Sequence, residues 1–265
     1  MSASQPPTDP GLDPHKLAAL RPGPTTDTAL LDALAAHLEA HDSYLAFSGG
    51  KDSLAVLHLA HQLDPNIPVV FFDGGLEFPE TYTYLADLTE TWNLNLDVIR
   101  STRSALSIMI DNGSWNHHSH PTSHTDLFTQ LIEEPSRQAH TRHGHGRLWG
   151  VRADESAGRR IMFTTAINRG DTPGACTRTD GIVTYNPTWH FTTHQIWAYL
   201  TRHNVPVNPV YAKLRHLGAP ETMCRVSQII DAAHLEHGRL VWLRRGWPDL
   251  FETLTQVLPR TTEYA

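Results

Sequence analysis

The segment Ser48-Gly49-Gly50-Lys51-Asp52-Ser53 joins a short apolar run, Ser43 to Phe47, to a strongly helical run, Leu54 to Leu63. That order of strand, glycine loop and helix constrains the chain more than any other feature. Gly49 and Gly50 let the backbone turn tightly and bring N–H groups against a ligand without side-chain hindrance. The next helix starts near Asp52 or Ser53, so its first amides and positive dipole end open into the same space. Lys51 adds a full positive charge, and the hydroxyls of Ser48 and Ser53 add donors. Together these groups suit a polyanion such as phosphate, pyrophosphate or sulfate. The spacing differs from G-x-x-x-x-G-K-[ST], so the loop is not a Walker A loop.

The strand–loop–helix unit repeats. Pro68 to Phe72 reads as a buried strand, Asp73-Gly74-Gly75 turns the chain, and Pro79 to Trp92 reads as a helix leading to a third strand at Leu96 to Arg100. Thr28 to Ala40 is an earlier helix with Asp27 as its N-cap. Strands alternating with helices imply a Rossmann-like α/β fold, a parallel sheet flanked by helices with right-handed crossovers. Ligands of such sheets sit beyond the carboxyl ends of the strands, where both glycine loops fall. Ser101 to Arg147 is less regular. Arg147 to Val151 resumes as a strand, a helix runs from about Ser156 to Asn168, a loop surrounds Cys176, and Ile182 to Tyr185 is a strand. Thr193 to His203 is an amphipathic helix. The C-terminal third reads as mostly helical, with Arg225 to His237 and Pro248 to Val257 as candidates. Residues 1–26 read as a flexible tail and residues 27–265 as a single nucleotide-binding domain.

Composition removes several function classes. No apolar run approaches the roughly 20 residues that span a bilayer, and the first residues do not read as a secretory signal, so a cytoplasmic address is expected. Cys176 and Cys224 are the two cysteines, too few for a disulfide framework or an iron–sulfur cluster. A net charge of -7 argues against unaided binding to a nucleic-acid backbone, although arginines recur between Arg137 and Arg178. The 18 histidines include His117, His118, His120 and His124 in one group and His140, His143 and His145 in another. With Pro121 between His120 and His124 and no cysteine nearby, they read as a polar loop over the pocket rather than a metal site.

The motif S-G-G-K-D-S resembles that of the PP-loop ATP pyrophosphatases. Within that superfamily the chain is similar to the phosphoadenosine phosphosulfate (PAPS) reductase family, which also includes ATP sulfurylase small subunits, FAD synthetases and sulfur-handling enzymes of DNA phosphorothioation. Asp73-Gly-Gly-Leu-Glu77-Phe78-Pro79-Glu80-Thr81 resembles the family's D-T-G-x-x-F-P-E-T, with Gly74 in place of threonine. Gly150-Val-Arg152-Ala-Asp-Glu155-Ser156 resembles G-x-R-x-x-E-S, with Arg159 or Arg160 near the family's next arginine. Asn186-Pro187 through Trp197 and Asn208-Pro209-Val-Tyr211 resemble its two N-P segments.

The resemblance implies nucleotide or phosphate binding by Ser48, Gly49, Gly50, Lys51, Asp52, Ser53, Gly75, Arg152, Arg159 and Arg160. Lys51, Asp73 and Arg152 take the catalytic roles. Asp73 either helps hold Mg²⁺ or caps its turn, and the arginines either clamp a phosphate chain or pair with Asp154 and Glu155. Trp189, Phe191 and Trp197 read as core. Two reactions fit. ATP can be cleaved at its α-phosphorus to adenylylate an acceptor, in sulfur transfer or nucleic-acid modification. Alternatively, a cysteine thiolate can attack the sulfur of PAPS. Family reductases carry that thiol in a C-terminal E-C-G-[IL]-H segment, whereas this sequence ends Pro259-Arg-Thr-Thr-Glu-Tyr-Ala265. Adenylyl transfer is therefore the leading expectation. Reduction through Cys224 or Cys176 is the alternative, and a subunit that turns over only with a protein partner or as a homo-oligomer is a third reading. Cys224 otherwise reads as a small buried residue.

Overall fold

A computed structural model describes residues 27–113, 127–227 and 239–265. Within them α1 (Asp27–Ala40) leads into β1 (Ser43–Ala46), α2 (Lys51–Leu63), β2 (Pro68–Asp73), α3 (Pro79–Trp92) and β3 (Asn95–Arg100). Next come α4 (Ala105–Asp111), a π-helical turn (Thr129–Glu133), α5 (Glu134–His143) and β4 (Gly146–Leu148). The rest is α6 (Ala157–Asn168), β5 (Ala175–Thr177), β6 (Val183–Tyr185), α7 (Thr193–Arg202), α8 (Val210–His216), α9 (Arg239–Gly246) and α10 (Pro248–Val257).

The described strands form one sheet in the order β3-β2-β1-β4-β6-β5. All pairings are parallel except β5 with β6. Side chains alternate across the pleat, so each strand feeds two apolar layers. Leu45, Val69, Phe71, Leu148 and Tyr185 enter the main core with the apolar face of α2, whereas Tyr44, Val70 and Ile99 meet Ala139 of α5 on the opposite face. Helices thus cover both faces. The chain leaves β1 through α2 on one face to reach β2, and it reaches β4, on the other side of β1, through α5 on the opposite face. This reversal is the point at which open α/β sheets leave a crevice beyond their strands.

Three differences from the sequence reading have local causes. β5 runs antiparallel where a loop around Cys176 was expected, because three residues carry no legible period. α4 and α5 occupy the section read as irregular. α5 buries only Pro135, Ser136, Ala139 and His140, a set half polar and without a large apolar side chain, which gives no apolar stripe. α8 occupies the segment after Asn208-Pro209, which carried no helix in that reading. Of the helix expected over Arg225 to His237, residues 225–227 are not helical and the remainder lies outside the described residues, as do the tail, residues 1–26, and His117, His118, His120 and His124. No helix among the described residues is long and apolar enough to cross a membrane.

Candidate functional site

The last bond of the β1–β2 ladder, Phe47 N–H to Val70 O at 2.9 Å, delivers the chain into the glycine loop. Gly49 adopts φ +73°, a region that favours glycine, and a Cβ there would lie 3.1 Å from Thr81 Cγ2. Asn208 braces the same spot by donating to Thr81 Oγ1 at 3.0 Å. α2 begins at Lys51 with Gly50 as its N-cap. Ser53 Oγ accepts from Ser48 N–H at 3.3 Å and donates to Gly50 O at 3.1 Å, with Ser48 Oγ 3.2 Å away. The two hydroxyls therefore lock the loop's shape.

The Lys51 N–H donates to the Tyr211 hydroxyl at 2.9 Å. The N–H groups of Gly49, Gly50, Asp52 and Ser53 have no acceptor among the described residues. These four amides at the positive end of α2 form an anion cradle.

Gly150, just past β4, makes the close approach possible. A Cβ on it would sit 2.4 Å from Ser53 N, so only glycine lets this strand exit pass the first turn of α2. Two residues on, Arg152 is fully buried. Its Nε donates to Asp52 Oδ1 at 2.7 Å, one terminal nitrogen to Phe191 O at 2.7 Å, and the other to Thr193 Oγ1 at 3.2 Å. Asp52 Oδ2 in turn accepts from Lys51 Nζ at 2.9 Å. Arg152 thus positions the Asp52–Lys51 pair, with three of its five guanidinium N–H groups on protein acceptors while the residue lines the cleft. Glu155 accepts from the Arg152 N–H at 2.8 Å and pairs with Arg159. Arg159 lines the cleft; Arg160 is exposed and does not.

Asp73 is also committed. Its Oδ1 accepts from Gly75 N–H at 2.9 Å and from the Tyr82 hydroxyl at 2.8 Å, and Oδ2 lies 3.5 Å from Arg100. Gly74, not Asp73 or Gly75, borders the cleft. Asp73 therefore caps its turn, the second of the two readings open at the sequence. The described residues hold no cluster of three or more His, Cys, Asp or Glu suited to a metal ion. Asp73 stands outside the cleft lining and in no group of three potential ligands among the described residues, so the donor set does not fit a resident Mg²⁺ there.

The cleft, about 1200 Å³, runs from the glycine loop past Gly150 and along the sheet face covered by α5. Cys224 lines it and is buried, its Sγ 3.7 Å from Ala219 O. Cys176 lies on β5 away from it. Burial, with Asp171 nearby, pushes the Cys176 thiol up, opposite to what a reactive thiolate needs. Phe191 and Trp197 are buried and Trp189 is half-buried. Of the described histidines, His140 and His194 line the cleft, and burial pushes the His140 pKa down, while His143 pairs with Asp97 at 2.8 Å.

Sequence reasoning gave no role to Tyr211, Asn208 or Arg147. The N-P-V-Y run flagged the first two without showing that they brace the loop. An arginine in a central strand was the available signal for the third.

Residues 42–222 match the family model described as phosphoadenosine phosphosulfate reductase domain. Phosphoadenosine 5'-phosphosulfate reductase of Citrobacter koseri is 29% identical over 180 residues, 63% of this chain and 64% of that protein. The chain's match thus spans just under two thirds of that relative. The protein of the same description from Xanthomonas campestris pv. campestris is 31% identical over 199 residues, covering 68% of this chain and 77% of its own. Among solved structures, phosphoadenylyl-sulfate (PAPS) reductase from Candida auris in a phosphate complex superposes with a TM-score of 0.55 at 19% identity, covering 81% of this chain and 91% of that one. At that identity the likeness speaks to fold alone.

Proposed function

The chain belongs to the phosphoadenosine phosphosulfate reductase domain family, and on that premise we propose that it binds ATP and transfers its adenylyl group to an acceptor. The observation that carries this reading is the cradle of four amides beside Lys51 at the start of α2. It suits the β- and γ-phosphates, leaving the α-phosphorus toward the body of the cleft. An acceptor nucleophile there attacks the α-phosphorus and pyrophosphate leaves. Amide dipoles and the Lys51 ammonium neutralise the charge that builds on the leaving group. Asp52, fixed by Arg152, holds Lys51 in place, and alignment supplies the remaining acceleration.

Reduction of PAPS is the second reading, favoured by the names of the relatives and by Cys224 at the cleft wall. There the Cys224 thiolate attacks sulfur, adenosine 3',5'-bisphosphate leaves, and an external dithiol releases sulfite as it is oxidised.

Phosphorus NMR of the protein with ATP, Mg²⁺ and candidate acceptors separates the two. AMP or adenylylated acceptor together with pyrophosphate is expected, and ADP with phosphate would sink the proposal. Sulfite release from PAPS that disappears in Cys224→Ser would establish the second reading instead. Turnover only after a second protein is added would point to a partner-dependent subunit.

A further inference from the structure

Arg147 sits in the middle of β4, in register with Tyr44 of β1 and Thr184 of β6, at the centre of the sheet on the face that α5 covers. It is 8% exposed. One terminal nitrogen donates to Ser136 Oγ of α5 at 3.2 Å, and its guanidinium lies 5.0 Å from the Trp149 ring. No carboxylate of the described residues comes within ion-pair distance of it. The nearby Asp180 is paired with Arg178 at 3.3 Å. The Tyr44 hydroxyl is the neutral polar group beside the Arg147 guanidinium, yet that hydroxyl, the Arg147 Nε and the Trp149 indole N–H are all buried without a partner in hydrogen-bond geometry. Arg147 and Trp149 line the cleft, as do Ser136 and Arg178.

A buried guanidinium without a counter-charge is costly, and a strand centre is normally filled by an apolar side chain. Burial accordingly pushes the Arg147 pKa down. A fold keeps such a group where something anionic completes it. The glycine loop cannot be that partner's seat. From Tyr44, level with Arg147, to Ser48 the extended chain climbs four residues, roughly 13 Å.

We propose that Arg147, Ser136 and the Trp149 indole N–H form a second oxyanion subsite in the cleft floor, which takes the phosphate, sulfate or carboxylate end of a ligand. Apolar walls from Phe72, Leu131 and Ile132 suit an apolar body between that end and the loop. Resting on the reading of the loop as an ATP cradle, this assigns the acceptor a terminal oxyanion; if the nucleotide is instead a bisphosphate, its second phosphate fills the subsite.

The test titrates inorganic phosphate by calorimetry into full-length Lys51→Ala protein, where the loop site is weakened. The expected result is that adding Arg147→Met lowers the remaining phosphate affinity roughly ten- to a hundredfold. Arg147→Met alone should keep wild-type ATP affinity and melt at an equal or higher temperature, since an unpaired buried charge has been removed. Equal phosphate affinity with and without Arg147, or a variant that simply melts lower and binds phosphate normally, overturns the subsite. Should Arg147→Met fail to fold, the wild-type Trp149 indole N–H resonance, assigned with Trp149→Phe, must shift on phosphate addition, and no shift overturns the proposal. Failure of wild type to bind ATP sinks the nucleotide reading and leaves these phosphate arms intact. Adenosine 3',5'-bisphosphate compared with AMP identifies the source. An advantage of the bisphosphate that Arg147→Met abolishes puts the anion on the nucleotide, and an unchanged ratio puts it on the acceptor.

Discussion

Arg152 and Asp52 lie a hundred residues apart in sequence and meet through an Nε–Oδ1 hydrogen bond of 2.7 Å with the arginine fully buried. Removing Arg152 leaves Asp52 with Lys51 as its cationic partner and strips the Phe191 carbonyl of a donor, and breaking a buried pair costs up to about 3–5 kcal/mol. Arg152→Ala is therefore expected to lower stability on that scale in urea denaturation. Asp52→Asn keeps the shape and one acceptor, so it should cost less stability but release Lys51 and weaken ATP binding about tenfold. A stable Arg152→Ala protein with a selective loss of ATP affinity would show instead that the arginine touches the nucleotide.

Gly150 tests the close approach of β4's exit to α2. A methyl group there would overlap Ser53 N and the Asp52 carbonyl carbon, both backbone, so rotamer adjustment offers no relief. Gly150→Ala should cost about 1–3 kcal/mol and weaken ATP binding by displacing the cradle amides. Gly74→Ala is the control. Its added carbon would meet only Leu131 Cδ2 at 3.7 Å, and its melting temperature should match wild type. Equal behaviour of the two variants would remove the steric account of Gly150.

The legible part of this molecule was local. The loop, its strand and its helix announced themselves because glycine placement and a 3.6-residue period act over about ten residues. What the loop's neighbours do was hidden, since a phosphate-clamp reading of Arg152 does not show that Asp52, Phe191 and Thr193 hold three of its five N–H donors. Asp73 was legible as a turn former, and its Oδ1 bonds to Gly75 and Tyr82 agree with that role. Arg147 drew no role, because the apolar neighbours Leu148 and Trp149 make the run read as an ordinary strand and mask the one signal, a charged residue inside it. α5 escaped notice for the opposite reason: its few buried residues carry no apolar stripe.

Of the Lys51, Asp52 and Ser53 amides that open α2, only that of Lys51 meets an acceptor among the described residues, the hydroxyl of Tyr211 at 2.9 Å, and Tyr211 is 3% exposed. Tyr211→Phe leaves that buried donor unmet, at a cost of about 1–3 kcal/mol. A bound phosphate can accept the same hydrogen bond. The variant should therefore gain more stability from saturating ATP than wild type does, read as the shift in melting temperature at matched ligand concentrations. An equal shift in both proteins would mean that the Lys51 amide never faces the ligand.

Protonation of His37 and His58 is expected to weaken the fold toward acid pH. His37 is stacked on Tyr185 at 4.5 Å, and His58 Nδ1 lies 2.7 Å from the Tyr199 hydroxyl. Burial first, then a neighbouring histidine, lowers each from 6.5 to about 4. In the unfolded chain both take up a proton near pH 6.5, whereas in the folded protein they resist until about pH 4. Across that window the unfolded state binds more protons, so stability falls as pH falls. Above about 6.5 neither residue contributes a pH dependence, and below about 4 their loss is complete. Glu80, which burial would raise but hydrogen bonds from Lys213 and Trp247 hold low, adds a loss of the same sign further toward acid. Urea midpoints should thus decline steadily between about pH 6.5 and 4, and His37→Phe should flatten part of that slope while leaving the neutral-pH plateau in place. A midpoint that stays level through this range in wild type would mean that the two histidines accept protons in the folded state as readily as in the unfolded one.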